Sequence, residues 1–250
     1  MKLIFVISLL LLPRILHAQD VNYYIAQAKQ YETAMNDELA IAKYKEGLKV
    51  SPTNVYSICK ISELCSRIGG RLKDDKENQA RYFSMARMYA YNALKLEPFN
   101  SESNFVMALV MGREAIIKGG REKIMAVKDV KKYADRSIKY NPDNFKAWYV
   151  LGKWYYEVSA LNYFERTAVR IFFGALPKAD ITDAIACFEK SKSINPGFIL
   201  NYLSLAKAYK KKDEISLAKR NLALMISLPD EMQDDAIIKA EGRELLKKLN

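Results

Sequence analysis

The stretch WYVLGKWYYEV, residues 148–158, decides the fold. Five of its eleven residues are aromatic, which suits either a stacking platform for a ligand or the inside of a helical packing unit. On a helix, at roughly 100° per residue, Trp148, Leu151, Gly152 and Tyr155 share one face, and Gly152 lets a partner helix come close. Trp154 lies beside that face next to Val158, and all of these read as core. Tyr149 and Tyr156 lie roughly 80–100° away and, with Lys146 and Lys153, form a second stripe at spacing i, i+3, i+7, i+10. The stretch therefore reads both ways, divided by helix face.

Elsewhere the chain holds seven prolines, five of them in similar company. LKVSPTN, LKLEPFN, IKYNPDN, KSINPGF and MISLPDE place Pro52, Pro98, Pro142, Pro196 and Pro229 just after an apolar, lysine-flanked helical stretch. Proline cannot continue such a helix, because it lacks the donor and clashes with the turn before it. Asn54, Asn100 and Asn144, two residues beyond three of these prolines, suit the cap of a following helix. The spacings are 46, 44, 54 and 33 residues. They fit a unit of about 34 residues with insertions in three copies. The fourth unit reads Trp148, Leu151, Gly152 and Tyr155, then Ala184, Phe188, Ser191 and Pro196. The first reads Tyr24, Ala28 and Tyr31, then Ala40, Tyr44, Gly47 and Pro52, and the fifth Tyr202, Leu205, Ala206 and Tyr209, then Ala218 and Leu222. The second and third are degenerate. This order of aromatic, small and bulky residues resembles the tetratricopeptide repeat, a pair of antiparallel helices.

The resemblance implies an all-α solenoid of five helix pairs, with repeats near 21–53, 54–99, 100–143, 144–197 and 198–230 and a capping helix in 231–250. Periodicity pairs helices 21–34 with 37–51, 55–69 with 75–97, 101–118 with 122–140, 145–172 with 180–195, and 199–211 with 214–228. Ile237, Ala240, Leu245 and Leu249 form the expected apolar side of the last helix. Gly69-Gly70, Gly119-Gly120 and Gly174 with Pro177 are expected in turns of the expanded repeats, whose extra residues lengthen the paired helices.

In such an array the second stripe of each first helix lines the concave surface. The place of Tyr149 is held in the other units by Ile25, Cys59, Phe105 and Leu203, all apolar. That of Lys153 is held by Lys29, Glu63, Leu109 and Lys207, and that of Tyr156 by Lys210 in the last unit. The expected groove is therefore Phe105, Lys146, Tyr149, Lys153, Tyr156, Leu203, Lys207 and Lys210, apolar on its floor and basic toward its C-terminal half. It suits an apolar body with an anionic end, in a peptide or protein partner or in an anionic lipid. The alternative is that an insertion or the capping helix folds into the concave side and covers this column.

Residues 1–18 read as a signal peptide: Met1-Lys2, an apolar run from Leu3 to Leu12 broken only by Ser8, then Pro13, and Leu16-His17-Ala18 before Gln19. The run is too short to span a bilayer comfortably. The mature protein, starting near Gln19, is thus expected to be exported to the periplasm, with no stable membrane span. Of 40 Lys and Arg, 38 lie beyond this segment against 29 Asp and Glu, a basic surplus that attracts acidic peptides or anionic lipid. Export argues against nucleic acid as a partner. The segment also carries His17, the single histidine. Without it the chain builds no Ser-His-Asp or Cys-His site and offers zinc no imidazole, so no catalytic residue, metal or cofactor is expected. Cys59, Cys65 and Cys187 form no CxxC pair and read as buried free thiols.

The fourth unit and its insertion, FKAWYVLGKWYYEVSALNYFERTAVRIFFGALPKADITDAIACFEKSKSINPGF, carry a further likeness. Leu151-Gly152-Lys153-Trp154, Tyr156-Glu157-Val158, Asn162, Glu165-Arg166, Phe172-Phe173-Gly174, Pro177 and Asn195-Pro196 resemble the pattern of the regulator-of-microtubule-dynamics family of tetratricopeptide proteins. SRIGGRLKDD at 66–75 and residues 121–144 look like it as well. The resemblance implies a repeat domain over most of the mature chain, in a family associated with microtubules and membrane contact sites. It also implies lipid binding as a property proposed for that repeat domain. Glu157, Glu165 and Arg166 match the pattern and read as an ion-pair set on the helix surface.

Overall fold

The computed structural model describes residues 20–117, 120–173 and 178–249. The expected signal peptide, Gly119, Gly174 and Pro177 lie outside them. Prolines end helices and asparagines start them, as the spacing predicts. The order is α1 (Val21–Thr33), α2 (Asp37–Val50), α3 (Val55–Arg71), α4 (Lys76–Leu96), α5 (Ser101–Ile117), α6 (Gly120–Tyr140), α7 (Phe145–Ser159), α8 (Tyr163–Phe173), α9 (Ile181–Ile194), α10 (Ile199–Lys211), α11 (Ile215–Ser227) and α12 (Asp235–Leu249). Asn54 accepts from the Ser57 N–H (2.9 Å), Asn100 from Ser103 (3.1 Å) and Asn144 from Ala147 (3.1 Å). Each of these bonds satisfies a donor that the first helical turn leaves orphaned.

Neighbouring helices pair as α1 with α2, α3 with α4, α5 with α6, α7 with α9, and α10 with α11, while α12 rests on α11 and α10. The protein is an all-α tetratricopeptide solenoid. Small residues on the second helices let each pair close up: Ala40, Ala86, Ala90, Ala93, Ala134, Ala184 and Ala218 are wholly buried. The core forms two clusters, one through the first four repeats and one from Ala184 to Met225, and Tyr149 and Tyr155 touch both. The aromatic stretch is thus the joint between the two cores. Trp154 is buried and donates from Nε1 to the Val127 carbonyl at 2.7 Å, while Trp148 is only half-buried. The three cysteines are free and buried, and burial pushes each thiol up to about 12.

Three expectations need correction. The helix expected at 145–172 is broken. The Ala160 N–H closes α7 onto the Glu157 carbonyl, and the Asn162 side chain accepts from the Glu165 N–H (2.9 Å) while Glu165 accepts from the Asn162 N–H (2.8 Å). This reciprocal capping box starts α8. Arg166 completes the break by donating to the Val158 and Leu161 carbonyls at 3.0 Å. Glu165 and Arg166 therefore build a helix junction, and Glu157 pairs with Lys153 at 2.9 Å instead. The second correction concerns Gly69 and Gly70, which lie inside α3 rather than in a turn. A Cβ on Gly69 would stand 2.6 Å from the Phe83 ring, so the glycine admits α4 at close range. The third is the face of α12: Ile237 and Ala240 are exposed, and Ile238, Leu245, Leu246 and Leu249 pack on the second core. Gly242 faces Met225 there, so the helix turns its smallest residue, not its most apolar run, toward α11.

Candidate ligand groove

The stripe expected to line the concave side divides at α7. On its N-terminal side it is a ladder of ion pairs. The buried Tyr44 hydroxyl donates to Glu32 (2.6 Å), Glu32 accepts from Lys60 (2.8 Å), and Lys146 of α7 reaches Glu63 of α3 (2.9 Å) and Glu102 of α5 (3.1 Å). Lys146 also stands 4.5 Å from the centre of the Phe105 ring, a cation–π contact. Burial would lower the Lys146 ammonium, but the two carboxylates hold it above its ordinary value. Burial would likewise raise Glu63, yet Lys146, then Lys60 and Arg67, outweigh it and hold that carboxyl down to about 2.

A carboxylate whose folded pKa lies below its ordinary 4.5 stabilises the fold fully above that value and loses the contribution as pH falls toward about 2. Glu63→Gln removes it at every pH. The melting temperature of the variant is expected to lie below that of the unaltered chain at pH 7, and the two curves are expected to converge in acid. Parallel curves in a thermal circular-dichroism series would show that Glu63 is not held in its ionised form by these partners.

One and two turns beyond Glu63 stand Arg67 and Arg71. Arg67 forks onto Asp37 of α2 (2.9 and 2.6 Å), and Arg71 bridges Asp37 (2.7 Å) and Asp234 (2.8 Å), which precedes α12. Asp37 is 1% exposed. The Gln233 side chain accepts from the Asp37 N–H at 3.3 Å, and Arg67 also meets the Met232 sulfur at 3.3 Å. The connection between α11 and α12 thus crosses back to the first two repeats. The segment that lies against α2 and α3 is thus the connection ahead of α12, and not the insertion or the capping helix named above as the alternative cover. Beside it Arg113 of α5 is desolvated, which lowers its pKa; Tyr149 and Asp234 oppose that shift.

On the C-terminal side the stripe is aromatic. The Tyr149 ring lies 5.9 Å from Phe188 of α9 and 5.1 Å from Phe198, and its hydroxyl is 3.5 Å from Ser204 of α10. Lys153 and Lys211 flank the Tyr156 ring at 5.3 and 5.1 Å. Lys207 pairs with Glu241 of α12 at 2.5 Å, and Lys210 is exposed at the end of α10. Of the eight expected groove residues, Phe105 and Leu203 are buried (3% and 2% exposed) and do not floor an open trough. Lys146, Lys153 and Lys207 each have a carboxylate partner, so the basic wall is largely neutralised. Tyr156, Lys153 and Lys210 remain accessible in part. The sequence reading missed Asp37, Arg67, Arg71, Arg113 and the 231–234 segment. Continuing the Glu63 column by four and eight residues gives Arg67 and Arg71, and continuing that of Leu109 by four gives Arg113, because the lengthened helices carry the stripe past the standard repeat. Among the described residues no group of three or more His, Cys, Asp and Glu is placed to hold a metal, and no helix is long and apolar enough to cross a membrane.

A family model described as Regulator of microtubule dynamics protein 1-3 matches residues 24–250. Regulator of microtubule dynamics protein 3 of Xenopus laevis is 25% identical over 210 residues, 84% of this chain and 43% of that protein. Regulator of microtubule dynamics protein 2 of Homo sapiens is 25% identical over 179 residues, 71% of this chain and 44% of that protein. The chain therefore spans less than half the length of these relatives. Among solved structures, the tetratricopeptide protein TTC0263 of Thermus thermophilus superposes with a TM-score of 0.65 at 12% identity, over 90% of this chain and 99% of that one. The pilus biogenesis factor PilW gives 0.53 at 14% identity, over 92% and 90%. At these identities the structures share the fold alone.

Proposed function

We propose that this chain, which belongs to the family of Regulator of microtubule dynamics proteins 1-3, is a non-catalytic, exported binding protein that holds a peptide or protein partner on the concave side of its tetratricopeptide array. The carrying observation is the chemistry of that side. Arginines of α3 and a lysine of α7 cross it to carboxylates on α2, α3 and α5, and the chain's own acidic connection already rests against it. Helical repeats present extended surfaces of this kind to partners. The second reading is a lipid-binding or lipid-transfer protein using the same groove. It needs an apolar channel many carbons long, and the charged rungs at Lys146 and Arg71 favour the peptide. The relatives' name ties them to microtubule dynamics. An exported chain meets no microtubules, so that role stays with the relatives.

A photo-crosslinking residue at Tyr156 or Lys210, in cells exporting the full chain, is expected to capture a partner protein. The same residue at Met88, exposed on α4, is expected to capture none. Equal capture from Met88 refutes the concave reading. In native mass spectrometry of detergent-free protein, a lipid adduct that Tyr149→Asp removes moves the function to the lipid alternative.

A further inference from the structure

The connection ahead of α12, with that helix's first residue, carries four carboxylates in six residues, Asp230, Glu231, Asp234 and Asp235. It is shaped from within. Asp235 accepts from the Glu231 N–H (2.9 Å) and the Met232 N–H (2.7 Å), and Lys239 reaches back to the Leu228 carbonyl and to Asp230. These bonds leave Met232, Gln233 and Asp234 free to engage α2 and α3, through Arg67, the Asp37 N–H and Arg71. The residues that shape the connection are therefore distinct from those that dock it.

The docking is incomplete on the arginine side. Arg113 Nε is shut off from water and has no acceptor among the described residues, although Asp234 is near enough to act on its charge. Arg71 Nη2 has no hydrogen bond and meets Glu38 only at 3.6 Å. Buried donors without acceptors cost free energy, and charge-assisted bonds to carboxylate are the strongest way to relieve it. A cluster of three arginines holding one fixed carboxylate, Asp37, and one borrowed carboxylate, Asp234, fits a more acidic guest than it now has.

We propose that Arg67, Arg71 and Arg113 form a docking site for an acidic peptide segment of a partner protein, and that Glu231–Asp234 is its resident, displaceable occupant. This rests on the peptide-binding reading above and names the partner's chemistry and its control. The resident segment competes at the effective concentration of a tether, about millimolar. A partner segment whose second carboxylate reaches Arg113 makes a bond that the resident does not, which offsets that advantage.

The test uses a fluorescein-labelled peptide of residues 228–236, LPDEMQDDA, in polarisation titrations. The mature chain is compared with a Met232→Ala/Gln233→Ala/Asp234→Ala variant of matching circular dichroism. The variant is expected to bind the peptide at least about tenfold tighter than the unaltered chain, since the tethered competitor is gone. Adding Arg71→Glu to it is expected to abolish the gain. Equal binding by variant and unaltered chain overturns the proposal, as does equal binding of a peptide with its four carboxylates amidated. No peptide binding by the variant, together with its co-sedimentation with anionic phospholipid vesicles that Arg71→Glu abolishes, overturns it in favour of lipid. Should the variant lose helix, hydrogen exchange of the unaltered chain with excess peptide decides: faster exchange at Met232–Asp234 supports the proposal and unchanged exchange refutes it. Crosslinking from Tyr156 that survives while peptide binding is absent sinks this site alone. Crosslinking that fails while the peptide binds sinks the groove reading of the last two repeats.

Discussion

Asp37→Ala is expected to lower the unfolding free energy by about 3 kcal/mol, at the lower end of what breaking a buried ion pair costs. Three features make the loss large. Asp37 is 1% exposed, and it takes both forks of Arg67 and one of Arg71, whose side chains are only 17% and 19% exposed. Removing the carboxylate leaves Arg67, among the described residues, with the Met232 sulfur as its remaining hydrogen-bond partner. Asp37 also opens α2, where a negative charge is favoured by the orphaned N–H groups of the first turn. Arg71 is less affected, because it keeps Asp234. Asp234→Ala is the natural control: it removes a carboxylate from the same arginine at a site 24% exposed, and about 1 kcal/mol or less is expected. Urea denaturation followed by circular dichroism gives both numbers. Equal midpoints would mean that the burial of Asp37 carries no weight and that the arginines are held by packing.

The asymmetry between those two aspartates also explains what could be read from the sequence. Repeat boundaries were legible because they rest on local chemistry. A proline after an apolar helix and an asparagine two residues later act on the backbone within one turn, so Pro52, Pro98 and Pro142 located helix ends and Asn54, Asn100 and Asn144 supplied caps. The break after Ser159 was missed: its signal, Asn162-x-x-Glu165, sits in an apolar pattern that reads as one long helix. What spans repeats was not legible. Asp37 meets Arg67 across 30 residues and the Asp37 N–H meets Gln233 across 196. The second does not follow from a repeat period, since it depends on how far the superhelix has curved by its last member, and the first uses the lengthened end of α3, beyond the standard repeat pattern. The groove stripe was located in sequence but not its burial: the same face that lines an open trough in an isolated repeat becomes the seam between α7, α9 and α10 at Tyr149.

Gly152→Val is expected to cost about 3 kcal/mol or more and to lower the melting temperature, while Gly242→Ala is expected to be neutral within about 1 kcal/mol. Distance alone predicts the reverse order. A Cβ on Gly152 would stand 2.7 Å from two atoms of the Phe188 ring and 3.2 Å from the Cys187 Cβ. A Cβ on Gly242 would come closer still to the terminal methyl of Met225. What decides the cost is whether the neighbour can yield. Phe188 is wholly buried, a rigid ring between Tyr149 and Gly152, and Cys187 is attached to the backbone of the same helix, so α9 must move away from α7 as a body. That opens the core on both sides of the seam that joins the two clusters, where each methylene exposed or left facing a void costs about 0.8 kcal/mol. The Met225 methyl ends an unbranched chain with three rotatable bonds, and α12 is the last helix, packed from one side. Replacing a helical glycine there also gains about 1 kcal/mol of helix propensity, which offsets the displacement. Thermal unfolding of the two variants separates the explanations. A Gly242→Ala loss as large as that of Gly152→Val would mean that α12 is clamped as firmly as the central repeats, and the segment ahead of it could then not be displaced.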